Sequence, residues 1–213
     1  MTIFCQPIAG RDNGRGPIRV VGRTVYNFLE PEKDFYYDGT KLGKGRTFAL
    51  AGGFDVQGSY RNFGMDAFLD APAGNAGSIT VNAAYTRMTG GTGTGTYSFA
   101  WLIPRQNIQF LELGYYFKNV KLQPWIKYEN QNINGRPAQF GLPGTADGAT
   151  MDAMNMLMSN ERIGGGLNYF FNDLNTNLRL SYTSVGYGRE ALDGGAEKAR
   201  YNQFWLQLQL FLF

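Results

Sequence analysis

The stretch that decides the fold is the last one, NQFWLQLQLFLF at residues 202–213. Phe204, Leu206, Leu208, Leu210 and Leu212 fall on one phase of a period-two pattern. Gln203, Trp205, Gln207, Gln209 and Phe211 fall on the other. Side chains alternate across the two faces of a strand, so this segment is a β-strand with a leucine face and a glutamine face. An edge strand in water rarely carries so long an apolar face. A strand with lipid on one side and water on the other requires it.

The same alternation repeats toward the N-terminus. Leu174, Leu178, Leu180 and Tyr182 oppose Asn175, Asn177, Arg179, Ser181 and Thr183. Ile163, Leu167, Tyr169 and Phe171 oppose Arg162, Gly164, Gly166 and Asn168. A strand over residues 120–128 sets Val120, Leu122, Pro124, Ile126 and Tyr128 against Lys121, Gln123, Trp125 and Lys127, with Pro124 unusual inside a ladder. Further upstream, Leu111, Leu113, Tyr115 and Phe117 oppose Glu112 and Gly114. Ile79, Val81, Ala83 and Tyr85 oppose Thr80, Asn82 and Thr86, and Phe63, Met65, Ala67 and Leu69 oppose Asn62, Asp66 and Asp70. Phe48, Leu50, Phe54 and Val56 oppose Thr47 and Asp55. Ile18, Val20, Thr24, Tyr26 and Phe28 oppose Arg19, Arg23 and Asn27. The expected fold is all-β: an antiparallel transmembrane β-barrel, with about nine strands in this chain and a tenth if residues 2–7 contribute.

Composition agrees. Glycine is abundant at 29 residues, aromatics reach 15% and charged residues only 17%, low for a soluble domain. No window approaches the ~20 apolar residues of a spanning helix, so any membrane crossing must be by strands. The net charge of +3 and the scatter of Lys and Arg exclude nucleic acid as an expected partner. Histidine is absent, which removes the usual catalytic base and makes a Ser-His arrangement impossible. Asp66 and Asp70 lie about 13 Å apart along a strand, too far for a paired acid site. No enzyme activity, metal or cofactor is expected. Residues 151–158 hold Met151, Met154, Met156 and Met158 with no His or Cys beside them, and read as an apolar loop helix rather than a Cu(I) site. GGTGTGT at residues 90–96 lacks the Lys-Ser/Thr ending of a phosphate loop and reads as a surface loop. The lone Cys5 cannot form an internal disulfide.

Connection lengths alternate. Two-residue turns are expected at Lys118-Asn119 and Asn172-Asp173, and long polar connections over residues 89–106, 131–159 and 186–198. Short periplasmic turns and long external loops are the outer-membrane pattern. Tyr115, Tyr116 and Phe117, then Tyr169, Phe170 and Phe171, precede the short turns, where an interfacial aromatic girdle belongs. The connection over residues 29–45 is long although it falls on the short-turn side; an extra strand near residues 35–37 would account for it. The first 20 residues show no secretory signal pattern. Residues 1–17 are therefore read as an N-terminal segment, with a truncated start expected, and residues 18–213 as the strands and loops.

Three longer phrases carry a family resemblance. They are RVVGRTVYNFLEPEKDFYYDGTKLGKGRTFALAGGFDVQGSYRNFGMDAFLDAP (19–72), LELGYYFKNVKLQPWIKYE (111–129) and ERIGGGLNYFFNDLNTNLRLSYT (161–183), followed by the terminal NQFWLQLQLFLF. In this order and spacing the chain resembles the C-terminal part of phosphate-selective porin O/P family proteins. The resemblance implies part of a sixteen-stranded barrel, often a homotrimer, in the bacterial outer membrane. It implies a porin for passive diffusion of small hydrophilic solutes or ions, anions such as phosphate among them. The arginine ladders and lysine cluster of that family do not map onto this sequence residue by residue. The C-terminal Phe213 and Phe211 suit the assembly signal of such barrels, but Gln209 and Gln207 break its phase.

The pore-lining candidates follow from strand phase: Arg19, Arg23, Lys121, Lys127, Arg162 and Arg179 as cations, with Asp66, Asp70 and Glu112 among the acids facing them, beside Asp55 and Glu129. Charges on the wall of a narrow aqueous path set ion preference. The near balance of six cations against five acids leads to an expected slight anion preference. The alternative reading is a non-conducting structural or adhesion barrel in contact with outer-membrane lipids and external partners.

Overall fold

The computed structural model describes residues 2–4, 18–31, 40–90, 103–135, 159–190 and 196–210. The methionine group at 151–158, the glycine-rich stretch beyond Gly90, Cys5, residues 35–37 and Phe211 to Phe213 lie outside them.

Ten strands form one antiparallel sheet in chain order, so every strand pairs with its sequence neighbours. They are β1 Thr2–Phe4, β2 Arg19–Asn27, β3 Thr47–Gln57, β4 Tyr60–Pro72, β5 Gly77–Thr89, β6 Arg105–Phe117, β7 Leu122–Gly135, β8 Ser159–Asn172, β9 Thr176–Glu190 and β10 Ala196–Leu210. β1 lies within residues 1–17 and pairs Thr2 with Val21. β1 and β10 stand at the two edges, so the sheet is open. No helix occurs among the described residues.

Register places the glutamine phase of β10 beside the polar phase of β9: Gln203 pairs with Thr183, Trp205 with Ser181, Gln207 with Arg179 and Gln209 with Asn177. The same rule holds through Arg162↔Glu129, Lys127↔Glu112, Asn82↔Glu112 and Asp70↔Thr80. One face of the whole sheet therefore collects the polar residues. The other collects Leu50, Phe63, Met65, Ile79, Leu111, Leu113, Ile126, Ile163, Leu167, Tyr182 and Leu206.

Burial shows that the sheet curls. Thr47, Asp70, Ser78 and Gln123 on the polar face are buried. Residues 40–46 cover Asp70 and Ser78, but Gln106 and Thr183 of the same face are buried toward the other end of the sheet, where curvature crowds side chains on the concave side. Contacts across strands say the same: Gln123 of β7 donates to Thr80 of β5, and Arg23 of β2 pairs with Asp66 of β4. The convex apolar face stays open, with Leu206 66% and Met65 63% exposed. Polar inside and apolar outside is the reverse of a soluble sheet.

Several local expectations are corrected. β7 starts at Leu122, not Val120, because residues 118–121 form a four-residue turn with Lys121 in the left-handed region (φ 54°). The turn after β8 covers residues 173–175, with Asp173 also left-handed (φ 49°). The expected loop over residues 186–198 is mostly strand: β9 runs to Glu190 and β10 starts at Ala196. Short and long connections do not separate cleanly either, since β3 and β4 join through Gly58 (φ 58°) and Ser59 at the end that carries the longer connections. Pro124 sits inside β7, pairing with Leu167 of β8, while the β6 ladder passes from Gly114↔Trp125 directly to Phe117↔Leu122. A residue with no N–H leaves that gap.

Candidate functional site

The concave face is the candidate site. It places together Arg19, Arg23, Lys127, Arg162, Arg179, Asp66, Asp70 and Glu112 of the expected set, and it excludes Lys121. The Lys121 ammonium points to the Phe171 carbonyl at 3.3 Å and is exposed in the turn. A left-handed turn residue does not follow the strand phase, which is why alternation misplaced it.

The charges form pairs along the wall. Arg19 Nε donates to Asp55 at 2.7 Å, with a second contact from its guanidinium to the same carboxylate. Arg23 donates to both oxygens of Asp66 at 2.9 and 2.8 Å. Lys127 lies 3.0 Å from Glu129, Arg162 3.6 Å from Glu129 and Arg179 4.0 Å from Glu112. The last two distances are long for a strong charge-assisted hydrogen bond. Arg179 is instead seated on an indole, its Cζ 4.3 Å from the Trp125 ring centroid. Glycine makes this possible: a Cβ on Gly166 would stand 2.7 Å from the Trp125 ring and 2.1 Å from the Leu180 carbonyl oxygen. The indole thus lies against bare backbone.

Asp70 has a different part. It is fully buried and accepts from the Lys41 N–H at 2.5 Å, the Thr80 hydroxyl at 2.9 Å and the Thr40 hydroxyl at 3.4 Å. Two of these donors come from the connection between β2 and β3. Residues 40–46 fold across the concave side at the turn end, with Leu42 packed on Tyr116 of β6 and Phe170 of β8. Tyr116 and Phe170 meet edge to face at 5.6 Å. Lys44 reaches Asp173 in the turn after β8. Residues 40–46 of the long connection therefore form a strap over one mouth of the curl. Leu42 (φ 52°) and Gly43 (φ 76°) turn it, and Gly43 is the residue type that adopts this backbone freely. Alternation carries no signal for such a strap, and neither Thr40 nor Asp173 stands out in the sequence.

On the convex face each apolar run gives way to a polar residue toward the longer connections. Phe63, Tyr85, Leu111, Tyr128, Ile163, Tyr182 and Phe204 are followed toward the longer connections by Arg61, Arg87, Gln109, Asn130, Glu161, Ser184 and Asn202. Along β4 the apolar run from Phe63 to Ala71 is on the order of 26 Å at ~3.3 Å per residue. At the opposite end aromatics pair on the same face: Tyr115 with Phe117 and Tyr169 with Phe171, each at 4.7 Å between centroids.

Among the described residues no group of three or more His, Cys, Asp or Glu side chains could hold a metal ion, and no helix is long and apolar enough to cross a membrane. Comparison of the chain with protein-family models, with curated proteins and with solved structures finds no match.

Proposed function

We propose that this chain forms the wall of an outer-membrane porin, as the C-terminal portion of a barrel through which small hydrophilic solutes or ions diffuse passively. The observation that carries the reading is the inversion of the sheet: a concave face that holds the polar and paired charged side chains, and an exposed apolar convex face. In water the convex face would cost about 25 cal/mol per Å² of exposed apolar area. Against hydrocarbon it costs nothing. The convex band, on the order of 26 Å along β4, spans ~20 Å of height at the ~40° tilt of outer-membrane strands, most of their ~25 Å apolar belt. Tyr and Phe pairs at one border and Arg, Asn and Gln at the other suit the two interfaces. The resemblance to phosphate-selective porins O/P supports the same reading, with anions such as phosphate as candidate solutes and a homotrimer as candidate assembly.

The open edges bear on the mechanism. Unpaired strand edges are costly in hydrocarbon, so β10, β1 and the part of β2 beyond Val21 require partner strands before a pore can close. Solute would then pass along the concave face, where the paired charges set its preference. Purified protein added to a planar bilayer should give stepwise, ohmic conductance, and liposomes containing it should swell in small sugars. Stable insertion with no conductance and no swelling would favour the structural or adhesion barrel instead.

A further inference from the structure

The concave face has a cavity of about 510 Å³ between β7 and β10, lined by Trp125, Lys127, Arg162, Arg179, Thr183 and Trp205 among others. Its size is that of small-molecule sites. Its charges do not cancel. Lys127, Arg162 and Arg179 face Glu129 and Glu112, three cations against two carboxylates. Glu129 is shared by two of the cations, and Arg179 has its carboxylate only at 4.0 Å. The Arg179 guanidinium is thus the group with most hydrogen-bonding capacity to offer, and its contact with the Trp125 ring holds its plane.

Trp205 supplies the second element. It pairs with Ser181 on the concave phase of β10, and is 63% exposed. A large apolar ring on the polar side of the sheet is out of character with Gln203, Gln207 and Gln209 around it. Ser181 and Thr183 are small, so the space between the Trp125 and Trp205 rings is floored by short polar side chains.

We propose that this cavity binds a small planar organic anion, an aromatic monocarboxylate being the simplest. Its carboxylate engages the planar fork of Arg179, where two parallel N–H donors match two oxygens. Its flat apolar body lies on the Trp205 ring. Inorganic phosphate would use the cations and leave the indole idle. A neutral sugar would use the indole and leave the excess charge idle. The assignment rests on the porin reading only in that the concave face is taken to be aqueous.

The test is calorimetric titration of the full chain, folded in detergent, with benzoate, inorganic phosphate and glucose in turn. Benzoate should bind saturably, and tighter than phosphate or glucose. R179Q should weaken it about tenfold or more, the value of a hydrogen-bonded charge. W205A, at an exposed position, should weaken benzoate several-fold and leave phosphate unchanged, while K121Q in the turn should match the parent. Failure of benzoate to saturate, phosphate binding as tightly, or indifference to both R179Q and W205A in folded protein would overturn the proposal. Bilayer conductance separates the two readings. A channel that conducts without binding benzoate keeps the pore and loses the ligand; a protein that binds benzoate without conducting keeps the ligand and loses the pore.

Discussion

The Lys44 ammonium lies 2.7 Å from the Asp173 carboxylate, joining positions 129 residues apart in the chain. Lys44 belongs to the strap between β2 and β3, and Asp173 to the turn after β8. Both side chains are well exposed, at 66% and 59%. An ion pair so wet is worth at most ~1 kcal/mol. A double-mutant cycle on K44Q and D173N, read by urea unfolding of the folded protein, should give a coupling below ~1 kcal/mol that shrinks with added salt. A coupling of ~3 kcal/mol or more would mean that the pair is shielded from water.

Asp70 should matter far more. Its carboxylate is fully buried and accepts from Lys41, Thr40 and Thr80. D70A leaves those donors without their acceptor, and should cost on the order of 2–4 kcal/mol in unfolding free energy. D70N keeps one acceptor oxygen and should cost less. Limited proteolysis within residues 40–46 should rise in D70A, since the strap loses two of its ties. Equal protease resistance in parent and variant would refute that role for Asp70.

Gly166 is a third point of sensitivity. A methyl group there meets the Leu180 carbonyl oxygen at 2.1 Å and the Trp125 ring at 2.7 Å. G166A should therefore destabilise by ~1–3 kcal/mol. Trp125 fluorescence should shift as the indole leaves the wall. An unchanged spectrum and unfolding midpoint would show that the wall yields freely.

Ion preference follows from the concave charges: without Lys121 five cations remain, and with Asp70 buried under the strap four acids stand against them. Reversal potentials across a planar bilayer should show a slight anion preference. R162Q combined with R179Q should move it toward cations, because Glu112 loses the Arg179 charge and Glu129 keeps only Lys127. Cation selectivity in the parent protein would contradict this assignment.

Much of the architecture was legible because period two is written locally. Leu206, Leu208 and Leu210 announce one face of β10 without help from any other strand, and the charged candidates inherit their side from the same rule. What was not legible depends on turns and on register. Val120 continues the apolar phase through a turn whose backbone is left-handed at Lys121, so alternation alone carried the strand two residues too far. Tyr187 and Tyr201 continue strands through a region whose polarity resembles a loop. The seating of Arg179 on Trp125 needs the register of β7, β8 and β9 together, and no local pattern encodes that. The strap at residues 40–46 makes its contacts across several strands, which only the curl brings close.

The central claim is that the convex face meets lipid and the concave face meets water. Spin labels placed singly at residues 203 to 210 of β10, in a Cys5→Ser background and in lipid bilayers, test it residue by residue. Labels at Phe204, Leu206, Leu208 and Leu210 should collide with oxygen, which concentrates in lipid. Labels at Gln203, Trp205, Gln207 and Gln209 should collide with a water-soluble nickel complex, giving a period of two in the accessibility ratio. A ratio without that period, or nickel access equal on both faces, would contradict the account.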